Sequence, residues 1–255
     1  MIDDYLKLNG KHILVTGATS GIGKQTAILL SQLGAKVSVV GRNQERLDEV
    51  FLKMDGDGNY KYSFDFKNID DIESLVKTIV QDGGPLDGLV HSAGITKDLP
   101  LANSKNKYVQ DIMVTNFNSF IELVRCATKK HRFNEGMSIV GLSSVTANGA
   151  AVALSAYAAS KAAINGAMRC MARELAPKGI RVNSVLPGPT NTEMYRAHLE
   201  LKGVVVDKTG GTPGLNYLGM GEPEDVANPI AFLLSPVSRM ITGVELPVDG
   251  GLLSC

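Results

Sequence analysis

The sequence predicts a doubly wound α/β fold, and three observations predict it. Seven short aliphatic runs alternate with longer stretches of helical pattern, and strict alternation of strand and helix builds βαβ crossovers. Most of the runs are nearly continuous in Val, Ile and Leu, as strands buried on both faces are. The first run opens directly into Gly17-Ala18-Thr19-Ser20-Gly21-Ile22-Gly23, a turn suited to joining a buried strand to a helix.

In chain order, the strands are HILVT (12–16), KVSVV (36–40), YKYSFD (60–65), LDGLVHSA (86–93), MSIVGLSS (137–144), IRVNSVLP (180–187) and GVELPV (243–248). Helices are expected near 22–33, 43–53, 68–81, 105–130, 155–176 and 223–235. Residues 190–222 break the alternation, with an apolar patch at Val204, Val205 and Val206 and a GGTPG cluster at 210–214. Glycine and proline at that density resist regular structure. A long irregular segment in a compact domain is generally a lid or binding loop, so 190–222 is read as a lid, with a disordered insertion as the alternative.

Composition narrows the function. The 255 residues suffice for one large domain. Lysine plus arginine (26) balances aspartate plus glutamate (26), which argues against electrostatic binding of nucleic acid or anionic membrane. Three cysteines without a CxxC pair suit a reducing compartment. The four histidines are too dispersed for a local metal motif. The acidic N-terminus lacks a secretory apolar run, and no stretch reaches the roughly 18 apolar residues of a membrane helix. The expectation is a cytoplasmic protein.

The glycine turn has a specific physical use. A dinucleotide pyrophosphate must approach the first turn of backbone and the N-terminus of the helix, where N–H groups and the helix dipole favour negative charge. A side chain at Gly17, Gly21 or Gly23 would obstruct the turn, that approach or the helix–strand packing. A site selective for NAD generally places an acid about 20 residues further on, on the ribose 2′-OH. Here the second strand ends Val40-Gly41-Arg42-Asn43. Gly41 stands where an acid would, and Arg42 can clamp a 2′-phosphate with its planar fork. The cofactor is therefore read as NADP(H), with NAD(H) as the second choice.

Ser143-Ser144 ends the fifth strand, and Tyr157 and Lys161 follow on a helix. Spacing i, i+4 puts phenol and ammonium on one helix face. Of the seven tyrosines only Tyr157 has a lysine four residues on. A nearby ammonium favours phenolate, so the phenol is expected to titrate below its ordinary value of ~10 and to trade protons.

TGATSGIG (16–23), Ser144 and Tyr157-x-x-x-Lys161, in that order, resemble the short-chain dehydrogenase/reductase family, along essentially the whole chain. Further matches are Asp65, HSAG (91–94), Asn116, Pro187-Gly188 with Thr192, and ITGVELPVDGG near the C-terminus. The resemblance implies one Rossmann-type domain over 1–255, with a parallel seven-stranded sheet in order 3-2-1-4-5-6-7. It implies that Tyr157 exchanges a proton with the substrate oxygen, Ser144 hydrogen-bonds that oxygen, and Lys161 holds the nicotinamide ribose. Asn116 would support a proton-relaying water chain, Asp65 would meet the adenine, and Thr192 the carboxamide. The implied cofactor contacts begin at Gly17, Thr19, Ser20, Gly21, Ile22 and Gly23, and continue through Arg42, Asn43, Asp65 and Phe66. They end with Ser92, Ala93 and Gly94, then Tyr157 and Lys161, then Pro187, Gly188, Thr190 and Thr192. One departure is HSAG, where the family has NNAG; it bears on a support of the sheet rather than on the chemistry.

The substrate is less legible. Leu142, Thr146, Asn148, Leu154, Pro187, Gly188 and the 193–214 loop are the expected pocket wall, mostly apolar or neutral, which suits a ketone or secondary alcohol of modest size. ITKD (95–98) and GEPEDVA (221–227) are similar to β-ketoacyl carrier-protein reductases. Lys129, Lys130, Arg132 and Lys178 are a candidate basic rim for an acidic carrier protein. Two other readings stay open: a sugar or polyol dehydrogenase using NAD(H), and a regulatory protein that senses NADP(H) without turnover. The small-residue helix around Tyr157, and the helix at 105–130 through which relatives assemble, lead us to expect a homotetramer or homodimer.

Overall fold

A computed structural model describes residues 6, 8–201 and 217–254. Seven parallel strands form one sheet in the order β3-β2-β1-β4-β5-β6-β7. They are β1 (His12–Thr16), β2 (Lys36–Gly41), β3 (Tyr60–Ser63), β4 (Leu86–His91), β5 (Phe133–Leu142), β6 (Arg181–Pro187) and β7 (Glu245–Val248). The helices are α1 (Gly21–Gln32), α2 (Gln44–Phe51), α3 (Ile72–Gly83), α4 (Asn106–Met113), α5 (Ser119–Ala127), α6 (Ser155–Leu175), α7 (Glu193–Leu201) and α8 (Pro223–Leu234).

Side-chain alternation along each strand divides the core in two. Ile13, Val15, Val39, Val90 and Val140 face α1, α2 and α8. Leu14, Val40, Leu89 and Ile139 face α3, α5 and α6. Both faces are therefore covered, which is why the strand sequences lack polar alternation. Thr16 lies between Val40 on β2 and His91 on β4. The chain reverses its winding direction between β1 and β4, and ligands of such sheets bind beyond the carboxyl ends of the strands at that point.

Three expectations change in detail. The helix expected over 105–130 divides into α4 and α5 around a π-helical turn, Val114–Asn118. The expected lid over 190–222 contains a real helix, α7, and its ends are drawn together by a parallel bridge between Thr190 and Gly221. Val204–Val206 and the GGTPG cluster lie outside the described residues. Among the described residues no helix is long and apolar enough to cross a membrane.

Candidate active site

A cleft of about 780 Å³ lies at the carboxyl ends of the strands. On one side is the turn between β1 and α1. Gly17 has φ +66°, and a Cβ there would fall 2.6 Å from the Ala93 backbone nitrogen. A Cβ on Gly23 would fall 2.3 Å from the Gly17 carbonyl oxygen. The turn is thus packed backbone against backbone, leaving the open end of α1 facing the cleft, where the first N–H groups of a helix have no intrahelical partner. At the end of β2, a Cβ on Gly41 would lie 2.4 Å from Thr19 Cγ2. An acid there would have to displace the Thr19 side chain, and Arg42, exposed at the cleft wall, is the next side chain along. Backbone cradle, helix end and cation all suit a phosphorylated dinucleotide.

The chemistry-bearing side chains lie deeper. Ser144 caps a 3₁₀ turn and its Oγ accepts from Thr146 N (3.2 Å) and from Thr146 Oγ1 (3.0 Å). Both lone pairs of the hydroxyl are then engaged, so its own proton is free to be donated into the cleft. Lys161 is 4% exposed, and its Nζ donates to the Leu142 carbonyl at 2.7 Å and stands 5.6 Å from the centre of the Tyr157 ring. Ser143 Oγ donates to the Lys161 carbonyl (3.0 Å), tying the end of β5 to α6.

Burial dominates the titration of both groups. It pushes the Tyr157 phenol above its ordinary value, opposed only by the Ser144 hydrogen bond, and it lowers Lys161 to about 8. The expected lowering of the phenol by the ammonium is therefore not seen. The amine lies over the ring face rather than at the oxygen, and desolvation disfavours the charged form of each group.

Asn116 lies in the π-helical turn, a distortion frequent at functional sites. Its side chain accepts from Ile95 N (2.8 Å) and donates to Ile95 O (3.0 Å) and Ser160 Oγ (3.0 Å). Ser160 in turn donates to the Tyr157 carbonyl at 2.7 Å. Asn116 thus braces the β4 loop against the first turns of α6. His91 supports the same region from below. Its Nε2 lies 3.2 Å from the Asn116 carbonyl and its Nδ1 3.1 Å from Thr16 Oγ1. A carbonyl only accepts, so Nε2 carries the hydrogen and Nδ1 accepts from the threonine. Full burial, with Lys161 nearby, lowers His91 to about 3 and keeps it neutral. The HSAG departure therefore leaves the sheet supported by an imidazole.

Most of the residues expected at the site line the cleft: Gly17, Thr19, Ser20, Gly21, Ile22, Arg42, Asp65, Phe66, Ser92, Ala93, Gly94, Ser144, Tyr157, Lys161, Pro187, Gly188, Thr190 and Thr192. Gly23 and Asn116 lie behind that wall. Asn43 is outside it, and its Oδ1 caps α2 by accepting from Arg46 N at 2.9 Å. Leu142, Thr146 and Leu154 line the pocket as expected, but Asn148 turns away to donate to Glu245 Oε2 at 3.2 Å. The basic rim is at the wrong end of the sheet. Lys129, Lys130, Arg132 and Lys178 lie in the connections entering β5 and β6, opposite the cleft. Lys129 and Arg132 are paired with Glu73 at 2.8 and 3.1 Å, whose carboxyl they hold at about 2. Thr96, Asp98, Tyr195 and His198 also line the cleft. Tyr195 and His198 belong to the 193–214 loop expected in the pocket wall, whereas Thr96 and Asp98, in the ITKD motif, were not expected at the site.

A family model described as enoyl-(acyl carrier protein) reductase matches residues 17–253. The 3-oxoacyl-(acyl-carrier-protein) reductase of Vibrio cholerae is 34% identical over 247 residues, covering 97% of this chain and 99% of that protein. The enzyme of the same name from Thermotoga maritima is 34% identical, covering 97% and 100%. Among solved structures, a short-chain dehydrogenase/reductase titled glucose/ribitol dehydrogenase, from Brucella melitensis, superposes with TM-score 0.89 at 30% identity, over 96% of this chain and 98% of that one. A short-chain dehydrogenase from Burkholderia cenocepacia, solved in complex with NADP, gives TM-score 0.83 at 29% identity, over 96% and 99%. With sheet order, glycine turn and Ser-Tyr-Lys set all in agreement, the chain belongs to the short-chain dehydrogenase/reductase family.

Proposed function

We propose that the protein is an NADP(H)-dependent carbonyl reductase acting on 3-oxoacyl thioesters and related ketones, in the cytoplasm. One observation carries this: the Ser144 hydroxyl and the Tyr157 phenol both line the cleft that the glycine turn opens onto, with Lys161 Nζ 5.6 Å from the centre of the phenol ring. Two adjacent O–H donors suit a single carbonyl oxygen that gains negative charge.

When bound, the nicotinamide supplies the hydride. Ser144, its lone pairs taken by Thr146, donates to the substrate oxygen and orients it. Tyr157, kept protonated by burial, gives that oxygen its proton. Lys161 faces the nicotinamide ribose hydroxyls and stabilises charge near the phenol. Arg42 meets the 2′-phosphate, Asp65 the adenine and Thr192 the carboxamide. Asn116 acts through Ile95 and Ser160, holding α6 in place. The relatives named as 3-oxoacyl reductases and the NADP-bound neighbour support the substrate and cofactor. Free thiols at Cys126 and Cys170 fit a reducing compartment.

The test is loss of NADPH absorbance with a panel of 3-oxoacyl thioesters, simple ketones and sugars. Wild type should turn over the thioesters. Tyr157→Phe should lose about 10²- to 10⁴-fold in kcat while binding NADPH nearly as well, and Arg42→Ala should weaken NADPH but not NADH. Preference for NADH with sugars or polyols, the activity named for the Brucella neighbour, would replace this reading. Tight NADPH binding without turnover of anything would point to a sensor. We also infer a homotetramer or homodimer, because α6 leaves Ala159 and Ala162 exposed and nothing lies within 4 Å of a Cβ built on Gly166. Light scattering at micromolar concentration checks this, and a monomer mass would refute it.

A further inference from the structure

The cleft holds polar side chains that the reduction itself does not use. Asp98 and His198 come from elements a hundred residues apart, the loop after β4 and helix α7, and both line the cleft. Asp98 Oδ2 lies 2.6 Å from His198 Nδ1, with the two side chains only 12% and 16% exposed. The contact has the distance of an ion pair without the alignment of a hydrogen bond, and Asp98 Oδ2 accepts none. Two residues earlier on the same loop, Thr96 Oγ1 is also buried and unpartnered. Tyr195 stacks on the imidazole with 5.7 Å between ring centres and so fixes its orientation.

Buried acceptors with spare lone pairs are costly in a folded protein unless something donates to them. Here Asp98 and Thr96 both line the cleft, Asp98 with its Oδ2 shut in beside His198 and a small part of its side chain open, next to the aliphatic Ile95, Leu154 and Leu199. We propose that Asp98, held by His198, is a specificity-determining residue that accepts a hydrogen bond from a neutral N–H or O–H donor on the substrate, away from the reacting carbonyl. The carboxylate repels a substrate acid or phosphate at this point. An unbroken alkyl body leaves the acceptors unpaired, and a site built to bond a donor rejects the analogue that lacks it. This inference rests on the carbonyl-reductase reading above.

Three thioesters of equal chain length separate the possibilities: S-(2-acetamidoethyl), S-(4-hydroxybutyl) and S-pentyl acetothioacetate. All share the ketone and the thioester; the acetamide adds an N–H with its carbonyl, the alcohol a terminal O–H, and the pentyl chain no donor. Wild type should prefer the amide or the alcohol over the pentyl compound by about 10- to 100-fold in kcat/KM. Asp98→Leu should erase that preference while NADPH binding, followed by its fluorescence, is retained. Should Asp98→Leu fail to bind NADPH, the isosteric Asp98→Asn serves in its place and should keep less than about a third of the preference. Equal rates on all three by wild type, or a preference unchanged in the variant, overturn the proposal while leaving the reductase reading intact. No turnover of any thioester overturns both.

Discussion

Tyr157 and Lys161 were legible because a helix brings i and i+4 together, and Ser144 because the fifth strand ends there. Their protonation was not legible, because desolvation depends on everything packed around them. The phenol keeps its proton at neutral pH, which serves donation to a developing alkoxide and hinders the reverse reaction. Lys161, lowered to about 8, loses its charge as pH rises through that value. We therefore expect kcat/KM for NADPH, which reports the unliganded enzyme, to hold level near neutrality. It should then fall about tenfold per unit well above pH 8. Lys161→Met should remove this limb together with most of the activity, and a wild-type profile level to pH 9.5 would exclude Lys161 as its source.

Among the elements, the β1–α1 turn tolerates least. A Cβ on Gly23 meets a backbone oxygen, which cannot swing aside as the end of a side chain would. Gly23→Ala should cost at least about 2 kcal/mol in a denaturant titration and weaken NADPH binding at least tenfold. Stability within about 0.5 kcal/mol of wild type would contradict the packing described. This turn was readable because strand, glycines and helix adjoin in sequence. Helix α7 was not, although EMYRAHLEL (193–201) is rich in helix formers, because the reading of 190–222 as a whole rests on the glycines and proline further along. The π-helical turn at Val114–Asn118 leaves no mark in apolar periodicity, and the meeting of Asp98 with His198 depends wholly on tertiary folding. The basic rim failed for a different reason. Residues just before a parallel strand lie at its amino end, so the position of Lys129–Arg132 ahead of β5 already placed them away from the cleft.

For the whole molecule, two buried imidazoles contribute to the response to acid. His91 is lowered from an ordinary value of 6.5 to about 3, and burial lowers His12 as well, against a hydrogen bond from Nδ1 to the Gly84 carbonyl. The unfolded chain protonates these rings first, so their contribution is complete above pH 6.5 and is lost as pH falls through the folded values. Unfolding free energy should decline from pH 6.5 downward, with His91 contributing up to about 1.4 kcal/mol per unit. In His91→Asn that slope should be shallower; an identical slope would assign the acid sensitivity elsewhere. The fold class and sheet order were legible because alternating runs leave few topologies.

Parallel pairing also separates the order of synthesis from the order of assembly. β1 leaves the ribosome before the other six strands of the sheet, yet it lies between β2 and β4, and β4 begins only at Leu86. The Gly17 turn rests on Ala93, so a nascent chain shorter than that has nothing to brace its phosphate loop. Contacts spanning so much sequence make folding slow. The growing polypeptide must wait with bare aliphatic strands, a stage at which chaperones and aggregation compete for it.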